Sequence, residues 1–246
     1  MRTSIAFLLT VVCSNFLFAQ AKTGTSVGQF LMIEPSARIA GMGNAGSTIY
    51  SELQAAYYNP AAIGLQQFHS VQFTHSTWLA DIAYDYAALG LVLGNFGNLY
   101  ASVTSLNSGE IDVRTVEQPL GTGERYTVSN LAFGIGYGRQ ISERFSLGVQ
   151  VSYVRETIWH SSLSAFGFNV GTIYRISEDG LHIGASLSNF GTRAKYDGRD
   201  LRIQYDQDPR KYGDNGSLPA QLFTDDFPLP VIFRVGIGYP LQFSED

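Results

Sequence analysis

From Leu131 to Ile141 bulky and tiny residues alternate one for one: Leu131, Phe133, Ile135 and Tyr137 on one parity, Ala132, Gly134, Gly136 and Gly138 on the other. A two-residue period sorts the two sets onto opposite faces of a β-strand, and a helix cannot use it. The same period returns in Phe145, Leu147, Val149, Val151 and Tyr153 against Ser146, Gly148, Gln150 and Ser152. It recurs in Phe166, Phe168, Val170 and Tyr174 against Gly167, Asn169 and Gly171, and in Val231, Phe233, Val235, Ile237 and Tyr239 against Arg234, Gly236 and Gly238. A soluble sandwich would turn Lys, Glu and Thr outward. Here the lighter face carries Gly, Ala, Ser, Asn and Gln, which suits a crowded polar lumen, while the bulky face suits lipid. Charged residues are 15% of the chain, below the roughly 25% of soluble domains. The fold expected is all-β, a transmembrane antiparallel β-barrel.

Strands are expected near 66–79, 81–93, 98–106, 126–141, 145–159, 163–176, 181–190 and 231–243. The tight connections at 94–97, 142–144 and 177–180 fall at alternate junctions, hence on one rim. The long segments 107–125 and 191–230 fall on the other, and outer-membrane barrels have this short-turn, long-loop asymmetry. The second long segment, with a possible strand at 201–205, is the expected extracellular contact loop. Tyr137 with Arg139, Tyr153 with Arg155 and Tyr174 with Arg175 read as anchors where apolar wall meets headgroups. Eight strands enclose only enough room for side chains. The chain ends at Gln242-Phe243-Ser244-Glu245-Asp246, not on a terminal aromatic residue, so it reads as C-terminally incomplete, about eight strands of a larger barrel, or as an open sheet.

Residues 20–65 read as an N-terminal plug, and 66–246 as the strands around it. The stretch 28–65 is rich in Gly, Ala, Ser and Asn, too light for its own core and too uncharged for a solvated tail. Asn59-Pro60 suits the cap and first position of a short helical turn. Gly41, Gly43 and Gly46 allow positive φ or close approach to a wall. Arg38 is the charge expected to be buried, clamped by Glu34 or Glu52.

Arg2, the apolar run from Ile5 to Phe18, and Ala19 and Ala21 have the pattern of a cleaved signal sequence at 1–19. The one cysteine, Cys13, lies within it, so the exported chain is expected to hold no disulfide. No later apolar run is long enough for a spanning helix. A net charge of −5 without a basic cluster argues against nucleic acid. Gly41-Met42-Gly43-Asn44-Ala45-Gly46 matches a dinucleotide fingerprint in spacing only, because Pro35 interrupts the approach and no strand-helix alternation follows. His69 and His75 have no third ligand nearby in sequence, and His160-Ser161-Ser162 has no positioned acid. No cofactor, metal or catalytic residue is expected.

The motifs Gly28-Gln29-Phe30-Leu31, Ser36-Ala37-Arg38, Gly41-Met42-Gly43 with Ala45, and Ala56-Tyr57-Tyr58-Asn59-Pro60-Ala61 resemble the plug of the PorV/PorQ family. These are outer-membrane barrels of the FadL-like superfamily associated with type IX secretion. Gly148 to Trp159, Phe168 to Arg175 and Ile183 to Gly191 extend the similarity, which covers Gly28 to about Tyr239. Relatives carry an acidic pair shortly before the Asn-Pro-Ala, where this chain has Ser51-Glu52-Leu53. The resemblance implies a larger barrel with a hatch, in which Ser36, Arg38, Gly41, Gly43, Ala56, Asn59, Pro60 and Ala61 form the plug. It also implies a non-enzymatic accessory of export that handles protein cargo with secretion subunits. The competing expectation is FadL-like passage of hydrophobic small molecules, through a continuous apolar tunnel beside the plug.

Overall fold

The computed structural model describes residues 24–50, 52–177, 180–206 and 218–240. The expected signal sequence, Ser51, the centre of the turn at 177–180, the middle of the long loop and residues 241–246 lie outside the described residues. The strands are β1 (Ser70–Thr77), β2 (Ala83–Val92), β3 (Asn98–Asp112), β4 (Arg125–Ser142), β5 (Phe145–Ile158), β6 (Ser161–Arg175), β7 (His182–Gly191), β8 (Asp197–Gly198), β9 (Arg202–Gln204), β10 (Pro219–Gln221) and β11 (Ile232–Gly238). The main sheet is antiparallel in the order β1-β2-β3-β4-β5-β6-β7-β11, with β8 beside β6 and with β9 and β10 paired apart. Among the described residues β1 bonds only to β2, and β11 only to β7. The sheet therefore has two free edges where a closed barrel has none.

The eight strands of the main path match the eight expected. Three boundaries differ by more than two residues: β1 begins at Ser70 and not near 66, β11 ends at Gly238 short of the expected 243, and β3 runs on past 106 to Asp112. Its register shifts between Asn107 and Glu110, and Gly109 takes a φ of 69° there. A bulge with a left-handed glycine lets the ladder continue after the slip. The β3–β4 connection is accordingly shorter than expected, and Val116 and Leu120 stand fully exposed at its tip. The excursion at 191–230 does contain a strand at the expected place, β9, paired with β10.

Register turns the alternation into two surfaces. Leu99, Tyr137, Val149, Val170, Leu187 and Phe233 are successive cross-strand partners from β3 to β11. So are Ile135, Val151, Phe168 and Phe190 from β4 to β7. A stacked second layer would bury these side chains, yet Phe133 is 47%, Leu147 37% and Phe168 42% exposed. The bulky face is uncovered. A continuous apolar surface of this extent is foreign to soluble monomers.

The other face carries the N-terminal segment. Ser36 caps the short helix Ala37–Gly41 by accepting a bond from the Ile39 amide. A turn of helix at Ala55–Tyr58 leads into a 3-10 turn at Pro60–Leu65. The segment runs from the loop rim, where the Gly28 amide meets Glu156 near the end of β5, to the turn rim, where Gly64 lies against Arg139 and Ser146. Ala55, Ala61 and Ala62 are fully buried against Ile173. Leu53, Ala56 and Ile63 pack on Tyr84, Tyr86 and Tyr100. Burying one such large aliphatic side chain contributes about 1.5–3 kcal/mol.

Candidate functional site

Asn98, Gly138, Gly148, Gly171, Ser186 and Arg234 are directly opposite one another in β3, β4, β5, β6, β7 and β11. The three central members have no side chain, so the row is a trench with hydrogen-bonding walls. The backbone from Asn59 to Gly64 lies in it. A Cβ on Gly148 would enter the Pro60 carbonyl, one on Gly171 the Asn59 side chain, and one on Gly138 the amide of Gly64. Glycine is the residue that lets two backbones come this close.

Asn59 is fully buried and uses its whole amide. Nδ2 donates to the carbonyls of Ser47, at 2.7 Å, and Thr172, at 3.0 Å, while Oδ1 accepts from the Ala61 amide at 3.0 Å. The trench walls reach the next carbonyls in turn. Ser146 Oγ donates to Ala61 O (2.8 Å), Ser186 Oγ to Tyr58 O (2.7 Å), and Asn98 Nδ2 to Ile63 O (2.7 Å) and Gln66 O (2.9 Å). A segment buried against a sheet must satisfy its own backbone, and polar residues of the small face do so here.

Among the residues singled out from sequence, Ala56, Asn59, Pro60 and Ala61 come together at this seat. Ser36 acts locally as a cap. Gly43 has a φ of 67°, which glycine tolerates, but an added Cβ at Gly41 or Gly43 would meet nothing within 4 Å. Nothing in the structure explains a glycine at 41. Arg38 meets one of its two expected partners, Glu52, at 3.0 Å, but its side chain is 59% exposed and not buried, and the pair lies within the N-terminal segment itself. It is no buried clamp to the wall, because the Ala37–Gly41 helix turns only Ile39 inward. An exposed pair of this kind is worth about 0–1 kcal/mol.

Among the described residues the cation set against the N-terminal segment's aromatic rings is Arg234, on β11. Its guanidinium lies 5.7 Å from the ring centres of both Tyr57 and Tyr58, and Tyr58 donates to Glu34 at 3.3 Å. Burial pushes the Tyr57 phenol up to about 12, with Arg234 pulling it down and Glu34 pushing it up. The phenol thus stays protonated and donates to Leu31 O at 2.6 Å. Beside this cluster a chain of amides crosses the sheet: Gln150 donates to Ser102, Asn169 to Gln150, and the Asn189 amide to Asn169. The cavity between them is about 40 Å³. Sequence reasoning gave Arg234, Gln150 and Asn169 no role, although their inward parity was the available signal, and it assigned Glu34 to Arg38 where the structure gives it to Tyr58.

Two histidines have acids that sequence spacing concealed. His75 Nδ1 lies 2.7 Å from Asp85, its cross-strand partner. His160 Nδ1 lies 3.0 Å from Asp200, but Nε2, the nitrogen a serine nucleophile would need, faces Arg199.

The family model described as type IX secretion system protein PorV matches residues 18–203. Neither curated proteins nor solved structures offer a match to the chain. An antiparallel sheet with an amino-terminal segment seated on its glycine face, matched by that model over most of its length, places this chain in the PorV family of type IX secretion proteins.

Proposed function

We propose that the chain is an outer-membrane barrel protein of type IX secretion, exported by a cleaved signal at 1–19, with 20–65 as plug and 66–246 as wall. It binds exported protein and hands it over to secretion subunits, without chemistry of its own. The observation that carries the membrane reading is the bare apolar face: Ile135, Phe233 and Ile237 are each about 70% exposed, as lipid contact requires. Strands such as β5, with 14 residues, exceed the roughly 9–11 that cross a bilayer. The export role rests on family membership. In this reading further strands complete the wall at the free edges of β1 and β11.

FadL-like passage of apolar solutes calls for a continuous apolar tunnel beside the plug. The cavity there, about 40 Å³ and lined by Gln150, Asn169, Asn189 and Arg234 together with Phe30, Leu31 and Ile232, is of mixed character and has room for only a few waters, so it is no continuous tunnel. The exposed tip of the β3–β4 loop, with Val116 and Leu120, and the loop around β9 and β10 offer contact surface on the rim.

Deleting the gene and following both secreted proteins and apolar solutes tests the choice. Accumulation of export substrates in the periplasm with normal solute uptake is the expected result. Unchanged secretion with lost uptake overturns it.

A further inference from the structure

Glu156 is 6% exposed. Its Oε1 accepts from the Gly28 amide and its Oε2 from the Tyr196 hydroxyl, each at 2.9 Å. A carboxylate has about four acceptor positions, so about two remain. Among the described residues no Lys, Arg or His nitrogen lies within 4.0 Å of it. A buried carboxylate held by neutral donors alone lacks its counter-charge. The carboxylate lines a pocket of about 280 Å³ on the loop rim, with Ser26, Gln29, Tyr196 and Phe227 around it. That size suits one side-chain-sized group, below the roughly 300–1,000 Å³ of whole-ligand sites. Tyr196 and Phe227 add aromatic rings, which attract cations.

We propose that this rim pocket is a receptor for a basic group, a primary ammonium or guanidinium, that supplies the missing charge and donors to Glu156. The group comes from a lysine or arginine side chain of a protein at the rim, or from a free amine; the chemistry of capture is the same. The inference uses the position of the rim and not the export role, so its failure leaves the secretion reading standing.

The test titrates the full chain in detergent micelles with N-acetyl-lysinamide, n-butylammonium and the uncharged N-acetyl-norleucinamide. The lysine probe is expected to bind at least about tenfold tighter than norleucinamide, a difference of about 1.4 kcal/mol. Glu156→Gln, which keeps the side chain's size and an acceptor oxygen, abolishes the preference, whereas Val151→Leu, on the opposite bare face of β5, retains it. Folding of Glu156→Gln is checked by circular dichroism, and Ser26→Trp, which fills the pocket mouth, removes the preference without touching the carboxylate. Equal affinity for n-butylammonium and the lysine probe identifies free amines as ligands; tighter binding of the lysine probe identifies a protein side chain. The proposal is overturned if the lysine and norleucine probes bind alike, or if the preference survives in folded Glu156→Gln or in Ser26→Trp. It is equally overturned if Lys22→Gln, which removes the basic residue two positions before Gly24, raises affinity tenfold, since the chain's own lysine then fills the pocket.

Discussion

Asn59→Ala lowers the unfolding free energy in lipid vesicles by about 3–5 kcal/mol, one of the largest losses expected from a single side chain here. The side chain is fully buried, and its removal strands the Ser47 carbonyl and the Ala61 amide and takes a second donor from the Thr172 carbonyl, which stays in the β6 ladder. Each unsatisfied buried group costs about 1–3 kcal/mol, and no water enters a seat this tight without moving the segment. Asn59→Asp is at least as damaging, because it turns a donor to two carbonyls into an acceptor facing them. Urea unfolding followed by tryptophan fluorescence from Trp78 and Trp159 checks both. A loss under about 1 kcal/mol for Asn59→Ala contradicts this account of the seat.

Gly148→Val is the second large effect, and it acts through exclusion. Its Cβ would occupy the position of the Pro60 carbonyl and crowd the Ala61 amide. Overpacking costs typically about 1–3 kcal/mol when side chains can move aside. Here both obstacles are backbone, and the neighbouring Asn59 and Ser146 bonds break with them, so about 3 kcal/mol or more is expected. The segment leaves its trench, and Tyr58, fully buried in the native protein, becomes a chymotrypsin site. Val151→Leu, one turn of the pleat away on the bare face, stays within about 0.5 kcal/mol. Protection of Tyr58 in Gly148→Val would show that the trench does not hold the segment.

The strands were legible because a period of two belongs to each strand alone and needs no knowledge of its partners. Asn59-Pro60 was legible for a similar reason, since the cap to Ala61 is made two residues away. The trench was not. Gly138, Gly148 and Gly171 look like ordinary light-face residues until two hairpin registers bring them side by side. Long-range partners were hidden further: Gly28 and Glu156 are 128 positions apart. Arg38 misled because a charge in a light segment suggests burial, whereas one side of the Ala37–Gly41 helix faces solvent. The extension of β3 was missed because Asn107, Ser108 and Gly109 read as a loop; only the bulge geometry keeps them in the ladder.

The central claim is that the bulky face touches lipid while the small face holds the N-terminal segment. Nitroxide labels at Ile135, Val151 and Phe168, neighbours across β4, β5 and β6, test it in reconstituted vesicles by relaxation with oxygen, which concentrates in lipid, and with a nickel chelate, which stays in water. Relaxation by oxygen dominates at all three sites if these side chains face the bilayer. Dominance of the nickel chelate, or protection from both agents as in a second protein layer, would contradict it.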